Sequence, residues 1–175
     1  REKRNQILNV GRFFAGGHNK KHLMMIQAFK EMVDRGLSGW ELHLAGGLTP
    51  GEPHREYLQE VYAAAESYPV ILHVDLPRKE LVELYGVSAI YWHATGYGED
   101  ELRHPVKTEH FGITTIEAMA SGCVPVVINK GGQPEIVQHG RNGFLWETAG
   151  ELKSLTERLI ENPELFRQMS AAAVR

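Results

Sequence analysis

The feature that most constrains this fold is a repeated change of hydrophobic period along the chain. Short apolar runs of strand character fall at 7–10, 40–45, 70–74, 89–92 and 124–128. Between them, apolar residues recur every three or four positions, the spacing of an amphipathic helix. The segment 21–34 carries Leu23, Ile26, Phe29 and Val33 on one face, and further helical segments fall at 54–67, 78–85, 113–120 and 151–161. A short helix at 134–138, a short strand at 143–145 and a last helix opening at Pro163 complete the order. Strands separated by helices cannot pair as tight hairpins and need crossover connections. The expected architecture is therefore α/β, a doubly wound parallel sheet with helices on both faces.

A chain of 175 residues makes one domain with a core of its own. In such a sheet ligands bind beyond the carboxyl ends of the strands. The loops gathered there are 11–20, 46–53, 74–78, 93–112 and 129–134, and 93–108 is long, polar and without period. Loops of that length in a compact domain are usually functional.

Composition removes several classes of function. No apolar run approaches 18 residues and no signal-peptide pattern opens the chain. Cys123 is the single cysteine, which rules out an intrachain disulfide and fits a reducing compartment. Its Gly-Cys-Val-Pro-Val setting marks it as a small buried residue rather than a nucleophile. The net charge of −3 divides unevenly, with +5 on residues 1–35 and −8 on the rest. No run of Lys and Arg interleaved with aromatics occurs, so the basic start suits a local anion site better than nucleic acid. Nine histidines are present, but without His-Glu-x-x-His, His-x-His or paired cysteines no metal site is expected.

The loop after the first strand, Gly11-Arg-Phe-Phe-Ala-Gly16, has the glycine spacing of a phosphate loop. Gly17 and His18 stand where that motif needs Lys and Ser or Thr, so it is rejected. Arg12 follows a strand end and Lys20 precedes a helix, and two cations at the ligand edge suit a diphosphate. Two solvated surface cations are the plain alternative. The stretch EHFGITTIEAMASGCVPV then places Glu109 and Glu117 on either side of a helix start expected at Gly112. Free N–H groups at that start favour an anion. Glu117 lies about 40° from Ile113 on a helical wheel, bordering a face of Ile113, Ile116 and Ala120 expected to be buried. A carboxylate there needs donors, which sugar hydroxyls would supply. The alternative is that both glutamates only favour the helix dipole. A glycosidase pair fits less well, because an anion site between the carboxylates favours phosphate. His110 and the pair Trp92-His93 stand at the same edge, with Trp92 expected in the core.

Val10-Gly11-Arg12, Lys20, Glu109-x7-Glu117, Gly131-Gly132-x-x-Glu135-Ile136-Val137 and Gly140-x-x-Gly143-Phe144 occur together in this order. The set resembles the carboxyl-terminal, donor-binding domain of GT-B fold glycosyltransferases of family 4, the group 1 type, over nearly the whole chain. The resemblance implies a single Rossmann-like nucleotide-sugar-binding domain, residues 1–175, forming one half of a GT-B fold. It implies transfer of a glycosyl group from a nucleotide-diphosphate sugar with retention of configuration and no metal or other cofactor. Arg12 and Lys20 match the diphosphate-binding pair, and Glu109 the carboxylate against the donor sugar. Phe111, Gly112, Ile113 and Thr114 match the turn whose backbone N–H groups meet sugar and phosphate. Glu117 matches the ribose-binding glutamate, and Val74 to Leu76 border the base. Glu109, Arg12 and Lys20 are the implied catalytic set.

Two residues depart from the family pattern. His110 replaces a common Gly and is expected to narrow the sugar site, and Lys21 stands where Gly often follows the lysine. The chain opens shortly before a strand and stops within a helix, as an excised domain would. An acceptor glycan or lipid would bind the absent amino-terminal half, which would also carry any peripheral membrane attachment of a cytoplasmic enzyme. Without that half the domain is expected to bind donor weakly and transfer nothing. A non-catalytic nucleotide-sugar binding module and a GT-B phosphorylase are the alternative readings.

Overall fold

A computed structural model describes residues 2–175. Six parallel strands form one sheet: β1 (Arg4–Val10), β2 (Glu41–Gly46), β3 (Val70–Val74), β4 (Ser88–His93), β5 (Val124–Ile128) and β6 (Phe144–Trp146). Their order is β3-β2-β1-β4-β5-β6, so the winding reverses between β1 and β4. Consecutive strands are linked through α1 (His22–Asp34), α2 (Glu52–Ala65), α3 (Arg78–Val87), α4 (Ile113–Ala120) and α5 (Gln133–Ile136). The helices α6 (Ala149–Glu161) and α7 (Pro163–Ala173) follow β6. This is the Rossmann-like doubly wound sheet expected from the alternation of periods. No helix among the described residues is long and apolar enough to cross a membrane.

The central strands are buried on both sides, so their apolar runs are nearly continuous rather than alternating. One face packs Ile7, Leu42, Ile90 and Val126 under α1, α2 and α6, with Met25, Phe29, Val61 and Leu152 fully enclosed. The other packs Leu8, Val10, Tyr91 and Val127 under α3 and α4, through Leu84, Tyr85, Ala118 and Met119. The last helix joins the two cores, sending Met169 into the first and Ala173 into the second. Trp92 lies in the first core and its indole N–H donates to Thr156 Oγ1 at 2.9 Å.

Several boundaries move. Strand β1 begins at Arg4 rather than residue 7, because pairing with β2 and β4 extends it past its apolar run. A 3₁₀ turn, Pro105–Lys107, interrupts the long polar loop. The larger correction concerns α4. It buries Thr115, Ala118 and Met119, whereas Ile113 and Ile116 are 66% and 50% exposed. Both stripes have helical spacing, and the one packed on the sheet is Thr115, Ala118 and Met119, which leaves Ile113 on the cavity lining and Ile116 half exposed.

Candidate functional site

A cavity of about 480 Å³ opens at the carboxyl ends of β1 and β2, beside the point where strand order reverses. Open parallel sheets place their ligands there because the two crossovers diverge and leave a crevice. Val10, Gly11, Arg12 and Lys20 line it from the first loop, Ala45 to Gly47 from the second, and Asp75, Leu76 and Leu81 from the third. Glu109, Ile113 and Thr114 close it. Of the residues singled out in the sequence, Arg12, Lys20, Glu109, Ile113, Thr114 and Leu76 therefore meet around one space.

Arg12 stacks its guanidinium on the Phe14 ring, 5.4 Å from its centre. No ion pair or side-chain hydrogen bond of Arg12 occurs among the described residues, so its planar fork remains available. Lys20 differs: its Nζ donates to Glu109 Oε2 at 2.7 Å, and both side chains are mostly buried. The same oxygen lies 3.6 Å from His93 Nε2 and 3.8 Å from His18 Nε2. These neighbours, His93 and then Lys20, hold the Glu109 carboxyl well below the usual carboxylate range. At 3.6 Å His93 is beyond hydrogen-bond length, so Lys20 makes the one bond. Burial pushes His93 below its ordinary pKa, favouring a neutral ring.

The start of α4 is shaped by backbone. Gly112 caps it at φ 62°, with no side-chain cap and no acidic residue in the first turn, so the first N–H groups are unclaimed by side chains. Thr114 is fixed by the buried Tyr91 hydroxyl, which donates to Thr114 Oγ1 at 2.7 Å. The preceding segment is held from behind by Gly131-Gly132. The Gly132 N–H donates to Glu109 O at 2.7 Å, and a Cβ on Gly131 would lie 2.2 Å from that oxygen. Any side chain at 131 would displace the backbone that carries Glu109. This is the physical use of the glycine pair, whose spacing alone gave no reason for it.

The polar loop before Glu109 is tied down rather than loose. Glu99 accepts from Lys21 Nζ and Lys107 Nζ, each at 2.9 Å. Lys130 Nζ donates to the carbonyls of Gly96 and Glu99, and Glu101 accepts from the Gly131 N–H at 2.7 Å. Lys21 itself sits at φ 60°, a left-handed conformation that glycine adopts at lower cost.

Val74, Phe111, Gly112 and Glu117 stand outside the cavity lining. Val74 is spent on pairing with Gly46, and the Phe111 ring is 78% exposed. Glu117 accepts from Arg78 at 2.7 Å and from the Tyr85 hydroxyl at 3.1 Å. The donors that its position demanded are thus supplied internally. His110 is exposed and outside the cavity lining, with its ring 6.4 Å from that of His18. Sequence reasoning missed Gly47 and Leu81, included Asp75 only within the segment Val74 to Leu76, and gave Arg78 and Tyr85 no part. The Gly46-Gly47 break after β2 was the available signal for the first.

A protein-family model described as "Glycosyl transferases group 1" matches residues 1–175. The chain belongs to this family. Within it, the group 1 chain has the fold of a GT-B carboxyl-terminal domain. It superposes with TM-score 0.74 on the C-terminal domain of a group 1 family glycosyl transferase from Francisella tularensis, at 20% identity over 99% of this chain and 84% of that one. The Anabaena protein HepE, solved in complex with UDP-glucose, gives TM-score 0.76 at 20% identity over 98% of this chain and 43% of that one. An alpha-1,3/1,6-mannosyltransferase of Dictyostelium discoideum is 26% identical over 93% of this chain. The N-acetyl-alpha-D-glucosaminyl L-malate synthase of Bacillus anthracis is 37% identical over 37% of this chain and 18% of its own length. The group 1 chain spans between 10% and 39% of the length of the curated relatives it matches.

Proposed function

We propose that this chain is the donor-binding half of a retaining, metal-independent glycosyl transferase whose cavity takes a nucleoside-diphosphate sugar. The observation that carries this reading is the convergence of Arg12, Lys20 and the uncapped start of α4 on one cavity. A diphosphate there meets a planar fork, a point charge and backbone N–H groups. The solved Anabaena protein of the same fold with UDP-glucose supports the choice of ligand class.

In this reading the base lies toward Gly47, Leu76 and Leu81. The ribose reaches Glu117, where its hydroxyls replace Arg78, a side chain 67% exposed and easily displaced. Glu109, which shares Oε2 with Lys20 before the donor binds, directs Oε1 to the donor sugar. As the bond from the anomeric carbon to the diphosphate breaks, its electron pair leaves with the diphosphate. Arg12, Lys20 and the α4 start meet the growing charge, each such donor being worth on the order of 10²–10³ in rate. Those three positive groups take the part that a metal plays elsewhere. The acceptor, a glycan or lipid, binds a second domain, and this chain alone binds donor without transferring it. Such an enzyme works in the cytoplasm, where nucleotide sugars are made.

Calorimetric titration of the intact chain with UDP-glucose, GDP-mannose and ADP-glucose tests the reading. Arg12→Ala should weaken the preferred donor about 10–100-fold, and Glu117→Ala by less. If neither substitution weakens any donor, the ligand is not held as proposed.

A further inference from the structure

Among the described residues, one buried side chain with two unpartnered ring nitrogens stands beside Glu109, which lines the cavity. His93 ends β4, is 2% exposed, and has no hydrogen-bond partner on either ring nitrogen. A buried ring N–H left unpaired is costly, so such a group points to a partner acquired in another state. The nearest acceptor is Glu109 Oε2, 3.6 Å from His93 Nε2. A closure of roughly 0.8 Å would bring it to charge-assisted hydrogen-bond length. His18 is at a similar distance but its side chain is 30% exposed, so water can serve it.

In the structure that oxygen is drawn to Lys20, which holds it at 2.7 Å. Lys20 also lines the cavity, where a diphosphate carries more negative charge than one carboxylate. We propose that His93 is a positioning residue that takes over Glu109 when Lys20 turns to the diphosphate of the donor. The neutral ring, as its Nε2–H tautomer, donates to Oε2 and keeps the carboxylate in place. Glu109 Oε1 then stays aimed at the hydroxyls of the sugar. Without His93 the departure of Lys20 would leave Oε2 unheld, and the carboxylate would rotate away from the sugar just as the donor arrives. This rests on the donor-binding reading above. It adds a sugar-recognition role for a histidine that touches no ligand itself.

The test uses the intact chain and compares each nucleotide sugar (UDP-glucose, GDP-mannose, ADP-glucose) with its own nucleoside diphosphate. The ratio of the two affinities isolates the sugar's contribution. His93→Leu should lower that ratio about tenfold while leaving diphosphate affinity close to wild type. His93→Gln, which keeps an N–H at similar reach, should restore most of it. In wild-type protein labelled with ¹⁵N-histidine, saturating diphosphate should move the His93 Nε2 signal toward a hydrogen-bonded position. Lys20→Ala should show that position without ligand. An unmoved His93 signal on saturation, or an unchanged ratio in folded His93→Leu, overturns the handover but leaves the donor reading intact. If no nucleotide or nucleotide sugar binds, the donor reading falls, and this inference with it.

Discussion

The two glutamates on either side of the start of α4 are eight residues apart, yet they live in different electrostatic surroundings. Glu109 shares one oxygen with Lys20, beside a wholly buried histidine, and its ion pair is mostly out of water. Glu117 faces Arg78, 67% exposed, and the phenol of Tyr85. The first pair is held by structure on every side, including the Gly131-Gly132 turn behind it. The second can be opened at little cost. The difference teaches that one motif can carry two carboxylates of unlike readiness. The Glu109 pair is fixed and mostly out of water, whereas Glu117 is held by an exposed partner that leaves readily.

Breaking each pair in turn should separate them most clearly. Glu109→Gln leaves Lys20 without its carboxylate in a mostly buried site and should cost about 2 kcal/mol in urea denaturation. Glu117→Gln should shift the same midpoint far less, since water reaches Arg78 directly. Equal effects would dissolve the contrast.

Acid sharpens the comparison by a smaller amount. Glu109 has a folded pKa depressed below its unfolded value of about 4.3. Its contribution to stability is therefore complete above that value and is lost as pH falls through the folded pKa. The melting-temperature gap between wild type and Glu109→Gln should be full at neutral pH and narrow progressively below about pH 4. A gap independent of pH would mean that the carboxylate charge is not what Lys20 holds.

The smallest effect is expected on α4, the helix that carries Glu117. Ile116→Ser, at a half-exposed position, should stay within about 0.5 kcal/mol of wild type in the same denaturation. A loss of about 2 kcal/mol or more would restore the buried isoleucine face that the periodicity suggested.

The fold was legible because period is a local property that the sheet cannot alter. Strand runs such as 124–128 and helical faces such as Leu152, Leu155 and Leu159 can be satisfied only as parts of a layered α/β domain. The candidate site was legible in part, for a related reason. Arg12, Lys20, Glu109 and Thr114 stand at strand ends or a helix start, which parallel winding brings to one edge. Residues whose meaning depends on what packs beside them could not be read. Ile113 and Ile116 share a perfectly good apolar stripe, yet the sheet took the Thr115, Ala118 and Met119 stripe instead. Arg78 and Tyr85 looked like ordinary members of a short helix until α3 settled against α4 and gave Glu117 its donors.

His93 marks the boundary between the two kinds of information. The chain alone determined that a histidine ends a strand at the ligand edge. Only the tertiary structure decided that it is buried, that neither nitrogen is partnered, and that the carboxylate of Glu109 waits 3.6 Å away. The physical reason is that hydrophobic period is written residue by residue, whereas burial and hydrogen-bond satisfaction belong to pairs of residues brought together from distant parts of the chain.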